Sequence, residues 1–190
     1  MIKNSGNFSG AGLKALEARI RELGKKKVVV GVPAATDYLR DDALSNVTIA
    51  AAHEFGATIN HPGGTRYDKN ADGKAKFVSH SFMGPVRGVT SAHKIVIPER
   101  SFLRSTLNEN KDKATKLLIR ELKGDISQGD FSGRAFAIVG ENLSGEVKRK
   151  IQSGIEPALD PETVRRKGSS KPLIDTGNLL QSITYEVRDK

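Results

Sequence analysis

The sequence predicts an α+β fold in which a small mixed or antiparallel sheet packs against helices. Three observations predict it. Several segments repeat apolar residues every three or four positions, as amphipathic helices do. Two segments near opposite ends of the chain, 25–33 and 182–188, have the β-branched or alternating apolar residues of strands. Between them, residues 61–92 are rich in Gly, Pro, Ser, Asp and Asn, which indicates a β-hairpin arm or loop inserted into one domain spanning 1–190.

The first half of the chain predicts two helices separated by a strand. Residues 11–23 carry a stripe of leucine and isoleucine at helical spacing. The apolar run that follows predicts a buried strand ended by Pro33. After a polar loop, Ser45 or Asn46 is expected to cap a second helix, which stops at Gly56.

A strand-to-helix corner is predicted where residues 94–98 lead into a helix over 99–110. Glu99 then falls in the first turn of that helix, where the helix dipole favours an acid. Two further helical runs, 111–126 and 133–154, are expected to form an antiparallel pair or one long helix broken by the glycines between them.

The triplet Asp175-Thr176-Gly177 follows two apolar residues, as in the active-site loop of an aspartic protease. Such an enzyme needs two carboxylates that share one proton, and the chain has no second triplet. We therefore expect Asp175 or Thr176 to cap a short helix over 176–182, after a polar linker over 157–171.

Two other patterns resemble parts of metal sites. His53-Glu54 begins like a zinc-protease helix, but the second histidine is replaced by Ala57, so a partly buried His and a solvated or capping Glu are the alternative. The first half of a calcium-binding EF-hand loop is matched by Asp68, Asn70, Asp72 and Gly73. Its twelfth-position Glu is missing, and a hairpin with an Asp-Gly turn explains the same residues. Three histidines in or beside the insert are too widely spaced to predict a zinc site: His61, His80 and His93.

These incomplete patterns lead us to predict no catalytic residue, no metal, no cofactor and no enzymatic activity. The chain also has no cysteine, and no apolar run in it approaches the length of a membrane span. We expect a soluble protein with no membrane partner.

The net charge of +9 favours polyanions or acidic protein partners. The basic clusters that we predict to face DNA are Lys148, Arg149, Lys150, Arg165, Arg166 and Lys167. A solvated basic face is the alternative. No aromatic residue is interleaved with these clusters, which argues against a base-stacking platform for single strands.

Four stretches in order carry a family resemblance: "AAAHEFGATI", "HPGGTRY", "IVIPERSFLRSTL" and "PLIDTGNLLQSITYEV". Together they resemble the virion morphogenesis proteins of tailed bacteriophages, which complete the tail or neck, and the resemblance covers roughly residues 28–188. Ser101 stands where that family often has Pro, a small departure. The structural motif residues are His53, Glu54, Phe55, Gly56, Pro98, Arg100, Phe102, Leu103, Arg104, Asp175, Thr176 and Gly177.

The resemblance implies a structural role at the head–tail junction of a virion assembled in the host cytoplasm. It implies a homo-oligomeric ring, with six copies favoured, that contacts neighbouring neck and tail proteins and surrounds the path of double-stranded DNA. We expect Arg100 and Arg104, one helical turn apart, to present charge on one face. The alternative function is a basic accessory protein that binds double-stranded DNA and shows a strong salt dependence.

Overall fold

The computed structural model describes residues 10–37, 45–69, 75–79 and 81–190. The helices in these ranges are α1 (Gly10–Gly24), α2 (Asn46–Phe55), α3 (Arg104–Ser127), α4 (Arg134–Ser153), α5 (Pro161–Lys167) and α6 (Asn178–Ser182). The strands are β1 (Lys26–Gly31), β2 (Ala57–His61), β3 (Arg66–Lys69), β4 (Ala75–Phe77), β5 (Gly88–Val89), β6 (His93–Ile97) and β7 (Thr184–Asp189). Every strand pair within these ranges is antiparallel, and the α+β prediction is confirmed.

The body of the molecule is a two-stranded sheet packed on a pair of helices. β1 pairs with β7, and both strands contact α4. α3 runs antiparallel to α4, because Glu109 near the start of α3 pairs with Lys150, whereas Asp125 near its end pairs with Arg134. The predicted antiparallel helix pair is therefore confirmed, and the broken single helix is not formed.

Gly140 lets the sheet lie close to α4. A Cβ atom at this position would lie 2.3 Å from Cδ2 of Tyr185 on β7, which is far closer than van der Waals contact allows. The absence of a side chain on one residue of α4 thus sets the distance between helix and strand.

A cluster of buried apolar residues lies around the second half of α4. Its members join this part of α4 to α2, to α6 and to the chain before α3: Ala50, Phe102, Val147, Ile151, Leu179 and Ile183. Phe102 and Ile183 have no exposed surface. The segment before α3 and the end of the chain are therefore both anchored in the core.

We call the described residues from 57 to 97 the arm, which adds β2 and β6 to the insert predicted over 61–92. Its base is a ribbon of β2 and β6 in which Ile59 lies opposite Ile95. Beyond the ribbon, β3 pairs with both β4 and β5. The pairing of β3 with β4 agrees with the hairpin explanation of the EF-hand-like residues, but Asn70, Asp72 and Gly73 lie outside the described residues.

The predicted start and end of α2 are confirmed. The side chain of Ser45 accepts a hydrogen bond from the N–H of Thr48 at 3.1 Å, and the helix ends before Gly56, which has a positive φ of 72°. α1 is also confirmed, although its apolar stripe is largely uncovered, with Leu13 52% exposed and Ile20 45% exposed. None of the helices in the described ranges has the length and apolarity needed to cross a membrane.

Two predicted elements are wrong. The helix expected over 99–110 begins only at Arg104, so Glu99 is not in its first turn. The expected polar linker over 157–171 contains α5. Asp160 caps this helix by accepting a hydrogen bond from the N–H of Glu162 at 2.8 Å, and Pro161 occupies its first position, where a missing N–H costs nothing.

Candidate functional site

Glu54, on α2, caps α3. Its side chain is 3% exposed, and its two carboxylate oxygens accept hydrogen bonds from the N–H groups of Leu103 at 2.8 Å and Arg104 at 2.9 Å. These N–H groups belong to the start of α3, where a helix leaves donors unpaired and where its dipole favours a negative charge. α3 therefore begins at Arg104 because a carboxylate about fifty residues earlier in the chain fixes it there.

Side chains complete the hydrogen bonding of the Glu54 carboxylate. The hydroxyl of Ser101 donates to Oε1 at 2.8 Å, and Nε of Arg104 donates to the same oxygen at 3.0 Å. Burial by itself raises the pKa of Glu54, but the hydrogen bonds from Leu103 and Arg104 and from Ser101 outweigh it and lower the pKa below its ordinary value. The carboxylate is therefore expected to stay ionised in the folded protein.

Arg104 connects the capping site to the surface. It donates to the backbone carbonyl of Glu54 at 2.9 Å and to the carboxylate of Glu99 at 2.7 Å. Its guanidinium carbon lies 4.6 Å from the centroid of the Phe55 ring, within cation–π distance. Gly56 lies against the backbone of Glu99: a Cβ at position 56 would be 3.2 Å from the N of Glu99. A residue with a side chain would therefore disturb the close approach of these two backbone segments.

Arg100 points away from Arg104, and the prediction that both present charge on one face is wrong. Arg100 is 4% exposed, and its side chain donates to the carbonyls of Pro157 at 2.7 Å and Ala158 at 3.1 Å. Its backbone N–H donates to the carbonyl of His53 at 2.6 Å. The two arginines separate because the residues between them are not helical, so Arg100 ties this segment to the loop before α5.

His53 lines a cleft of about 240 Å³ between α2, α5 and α6. Nδ1 of His53 is buried and has no hydrogen-bond partner among the described residues. Burial, with the nearby charges of Arg100 and Lys167, lowers the pKa of this imidazole, so it is neutral in the folded protein at neutral pH. The cleft also contains Lys167 and Asp175, and its remaining walls include four apolar side chains: Ile49, Leu159, Leu173 and Leu179.

The triplet at 175–177 lies on the rim of this cleft, but it does not cap α6 as predicted. The N-cap position is Gly177, which has a left-handed φ of 83° and no side-chain cap. Asp175 is exposed, and the Oγ1 of Thr176 approaches the N–H of Asn178 only at 3.5 Å. Two residues with left-handed φ, Leu173 at 63° and Gly177 at 83°, turn the chain toward α6. This conformation is unfavourable for Leu173, because its side chain is bulky.

Three segments of the resemblance thus meet in one place, which we call the motif junction: residues 53–56, residues 98–104 and residues 173–177. Glu54 joins the first segment to the second, and the cleft beside His53 joins the first to the third. Within the motif junction, Phe102 belongs to the buried core cluster and Leu103 packs against that cluster. The alternative to a zinc motif was a partly buried His53 and a solvated or capping Glu54, and the structure shows a buried, capping Glu54. Which helix Glu54 caps could not be predicted, since cap signals are local in sequence.

The basic clusters are partly neutralised by ion pairs. The pairs are Arg149 with Glu146, Lys150 with Glu109, and Arg165 with Glu162. Lys167 is half-buried and donates to the carbonyl of Lys171 at 2.7 Å, whereas the side chain of Arg166 lies outside the described part of the structure. Lys148 is half-buried. The DNA-facing role of these clusters stays a prediction.

In the arm, His61 and His93 stack across β2 and β6 with ring centroids 4.9 Å apart. Nδ1 of His61 accepts a hydrogen bond from the N–H of Gly63 at 3.0 Å, and Nδ1 of His93 donates to the carbonyl of Ser91 at 2.8 Å. Within the described ranges, no three His, Cys, Asp or Glu side chains are placed to hold one metal ion. At the motif junction, the hydrogen bonds that the Glu54 carboxylate accepts join α2 to the start of α3.

Comparison of the chain with protein-family models, with curated proteins and with solved structures finds no match.

Proposed function

We propose that this chain is a structural component of the head–tail junction of a tailed bacteriophage, where it completes the tail or neck as a homo-oligomeric ring of six copies. Its neighbours are other neck and tail proteins of the virion, and DNA passes through the ring. The proposal rests on the four ordered sequence stretches. The structural observation that supports it best is the uncovered apolar surface of the arm.

The ribbon at the base of the arm has apolar residues on both faces. Ile59 and Ile95 lie opposite each other and share one face, and they are 47% and 38% exposed. Val96 lies on the other face and is 69% exposed. A ribbon that is apolar on both faces and covered on neither has the character of an interface.

The outer part of the arm extends this apolar surface. Phe77 and Val89 are each more than half exposed, and Met83 is almost fully exposed. Covering these side chains favours association, because buried apolar surface contributes roughly 25 cal/mol per Å², and the loss of freedom on association offsets part of that gain. A second copy of the chain is the partner that the ring requires.

The motif junction gives the arm a fixed base. β2 follows Gly56 directly, and β6 leads through Pro98 into the segment that Glu54 holds. Both strands of the ribbon therefore leave the body from residues that are hydrogen-bonded to each other. A fixed direction is what an arm needs if each copy is to meet its neighbour with the same rotation, so that a ring closes.

The body offers a different apolar surface that such an arm can meet. A groove of about 480 Å³ lies between β1, α3 and α4, and its apolar lining includes Val28, Leu107, Leu118 and Phe136, with three lysines beside them: Lys26, Lys27 and Lys111. Contact between an arm and this groove joins unlike surfaces. Such a heterologous contact is the kind that generates rings.

The test counts copies in purified phage particles by quantitative mass spectrometry. We expect six copies with the natural chain and loss of incorporation when the arm carries Ile95→Glu together with Val96→Glu. Leu13→Glu together with Ile20→Glu is the matched control, because these residues are 52% and 45% exposed on α1 and lie outside the arm. One or two copies per particle, or normal incorporation of the arm variant, would contradict the proposal.

A further inference from the structure

The outer face of α3 carries a row of basic residues that the sequence analysis did not single out. Lys113, Lys116, Arg120 and Lys123 follow one another at spacings of three, four and three, so they share one side of the helix. All four are exposed. We call these four residues the α3 row.

The α3 row differs from the predicted basic clusters in its charge balance. Among the described residues, Lys113, Lys116 and Lys123 have no acidic partner within ion-pair distance, and only Arg120 has one, its neighbour Glu121. In the predicted clusters, by contrast, Arg149, Lys150 and Arg165 each contact a Glu. Asp112 is exposed one helical turn before Lys116 and offsets part of this charge, but the four cations of the α3 row still carry more uncompensated positive charge than the predicted clusters.

The dimensions of the row fit the backbone of a nucleic acid. Lys123 lies ten positions after Lys113, which corresponds to about 15 Å along an α-helix. One strand of duplex DNA rises about 3.4 Å per phosphate along its axis while winding around it. A row of this length is therefore long enough for its flexible side chains to reach more than one phosphate of a strand. α3 is also fixed at both ends: Glu54 of α2 binds its start, and near its end Asp125 pairs with Arg134 of α4.

From this geometry we infer that the α3 row is a contact surface for the phosphate backbone of double-stranded DNA, without sequence preference. The inference does not depend on the proposed ring, because it concerns a surface of the isolated chain. Phosphate contacts give affinity and salt dependence, whereas sequence is read only by contacts to base edges.

Other polyanionic partners fit the row less well. α3 contains no aromatic residue, so it offers no surface on which the bases of a single strand could stack. A membrane-binding helix buries an apolar face in the lipid. Among the described residues of α3, Ile119 is the only large apolar residue that is exposed, so the helix has no such face.

The experiment measures binding of the purified chain to a short labelled DNA duplex by fluorescence anisotropy over a series of salt concentrations. Two double variants remove the same net charge: Lys116→Gln with Lys123→Gln in the α3 row, and Lys148→Gln with Arg149→Gln in a predicted cluster. We expect the slope of log K against log salt to become shallower by about 2 in the α3 variant, since each lost phosphate contact contributes about 0.9. The cluster variant should change the slope by less than about 0.5.

Several results would overturn the inference. Equal effects of the two variants would show that only net charge matters. If the natural chain failed to bind duplex DNA at low salt, the α3 row would not be a DNA-contact surface. Tighter binding to single-stranded DNA, to anionic lipid vesicles or to poly-glutamate would assign the row to another partner. Thermal unfolding of both variants verifies that they remain folded, and copy number in particles tests the ring separately.

Discussion

Glu54 shows how one side chain can decide where a helix elsewhere in the chain begins. It is buried and accepts hydrogen bonds from the backbone N–H groups of Leu103 and Arg104 and from the side chains of Ser101 and Arg104. The local sequence predicted a helix over 99–110 with Glu99 in its first turn. The carboxylate moves the start to Arg104 and leaves the chain before it free to bury Phe102 and Arg100.

Replacing Glu54 by Gln should destabilise the protein by about 2–3 kcal/mol, because a buried ionised acceptor is lost and an amide N–H₂ faces donors. The measurement is urea unfolding followed by circular dichroism. The matched control is Glu99→Gln, which removes the exposed carboxylate on the same Arg104 and should cost less than about 0.5 kcal/mol. Similar losses in the two variants would mean that Glu54 contributes only a surface ion pair.

At the level of elements, the sequence predicted those whose signals are local. α2 is an example, since Ser45 precedes it and Gly56 follows it. α5 was missed although its signal is present: Asp160 and Pro161 form an N-cap and first-turn pair inside a stretch whose polarity suggested a linker. The start of α3 and the turn before α6 could not be predicted, because a remote carboxylate fixes the first and left-handed residues form the second.

The contact between β7 and α4 provides a prediction at the same scale. Gly140→Ala should destabilise by about 1–3 kcal/mol, because the new Cβ would collide with the Tyr185 ring and force strand and helix apart. Gly145→Ala is the matched control on the same helix, where a Cβ meets nothing within 4 Å. It should stabilise by up to about 1 kcal/mol, since Ala favours a helix more than Gly does. Stabilisation by both substitutions would show that the sheet is free to move off α4.

For the molecule as a whole, the sequence predicted the α+β class and an inserted arm, but not how the three motif segments meet. The candidate site was predictable as a set of residues and not as an arrangement. Arg100 and Arg104 illustrate the difference, because only the structure shows that one is buried against the loop before α5 and the other is exposed beside Phe55. Long-range contacts of this kind leave no periodic signal in the chain.

Two groups at the motif junction make the stability of the whole molecule depend on pH. Burial lowers the pKa of His53 below its ordinary value of 6.5, assisted by Arg100 and Lys167. For Glu54, burial opposes the change, but hydrogen bonds lower the pKa below 4.5. As the pH falls, each group therefore binds its proton at a higher pH in the unfolded chain than in the folded chain. The stabilising contribution of each group is therefore complete above its ordinary pKa and is lost as the pH falls below that value.

We expect the free energy of unfolding to fall in two stages on acidification, the first starting near the ordinary pKa of His53 at 6.5 and the second near that of Glu54 at 4.5. Each proton contributes a slope of up to about 1.4 kcal/mol per pH unit. Urea unfolding at a series of pH values measures both stages.

His53→Gln should flatten the first stage only, and Glu54→Gln the second only. If stability instead rose as the pH was lowered through the first stage, the neutral, buried state of His53 would be refuted. Unchanged pH profiles in both variants would place the acid sensitivity elsewhere, in the repulsion of a chain whose net charge of +9 grows as its carboxylates are protonated.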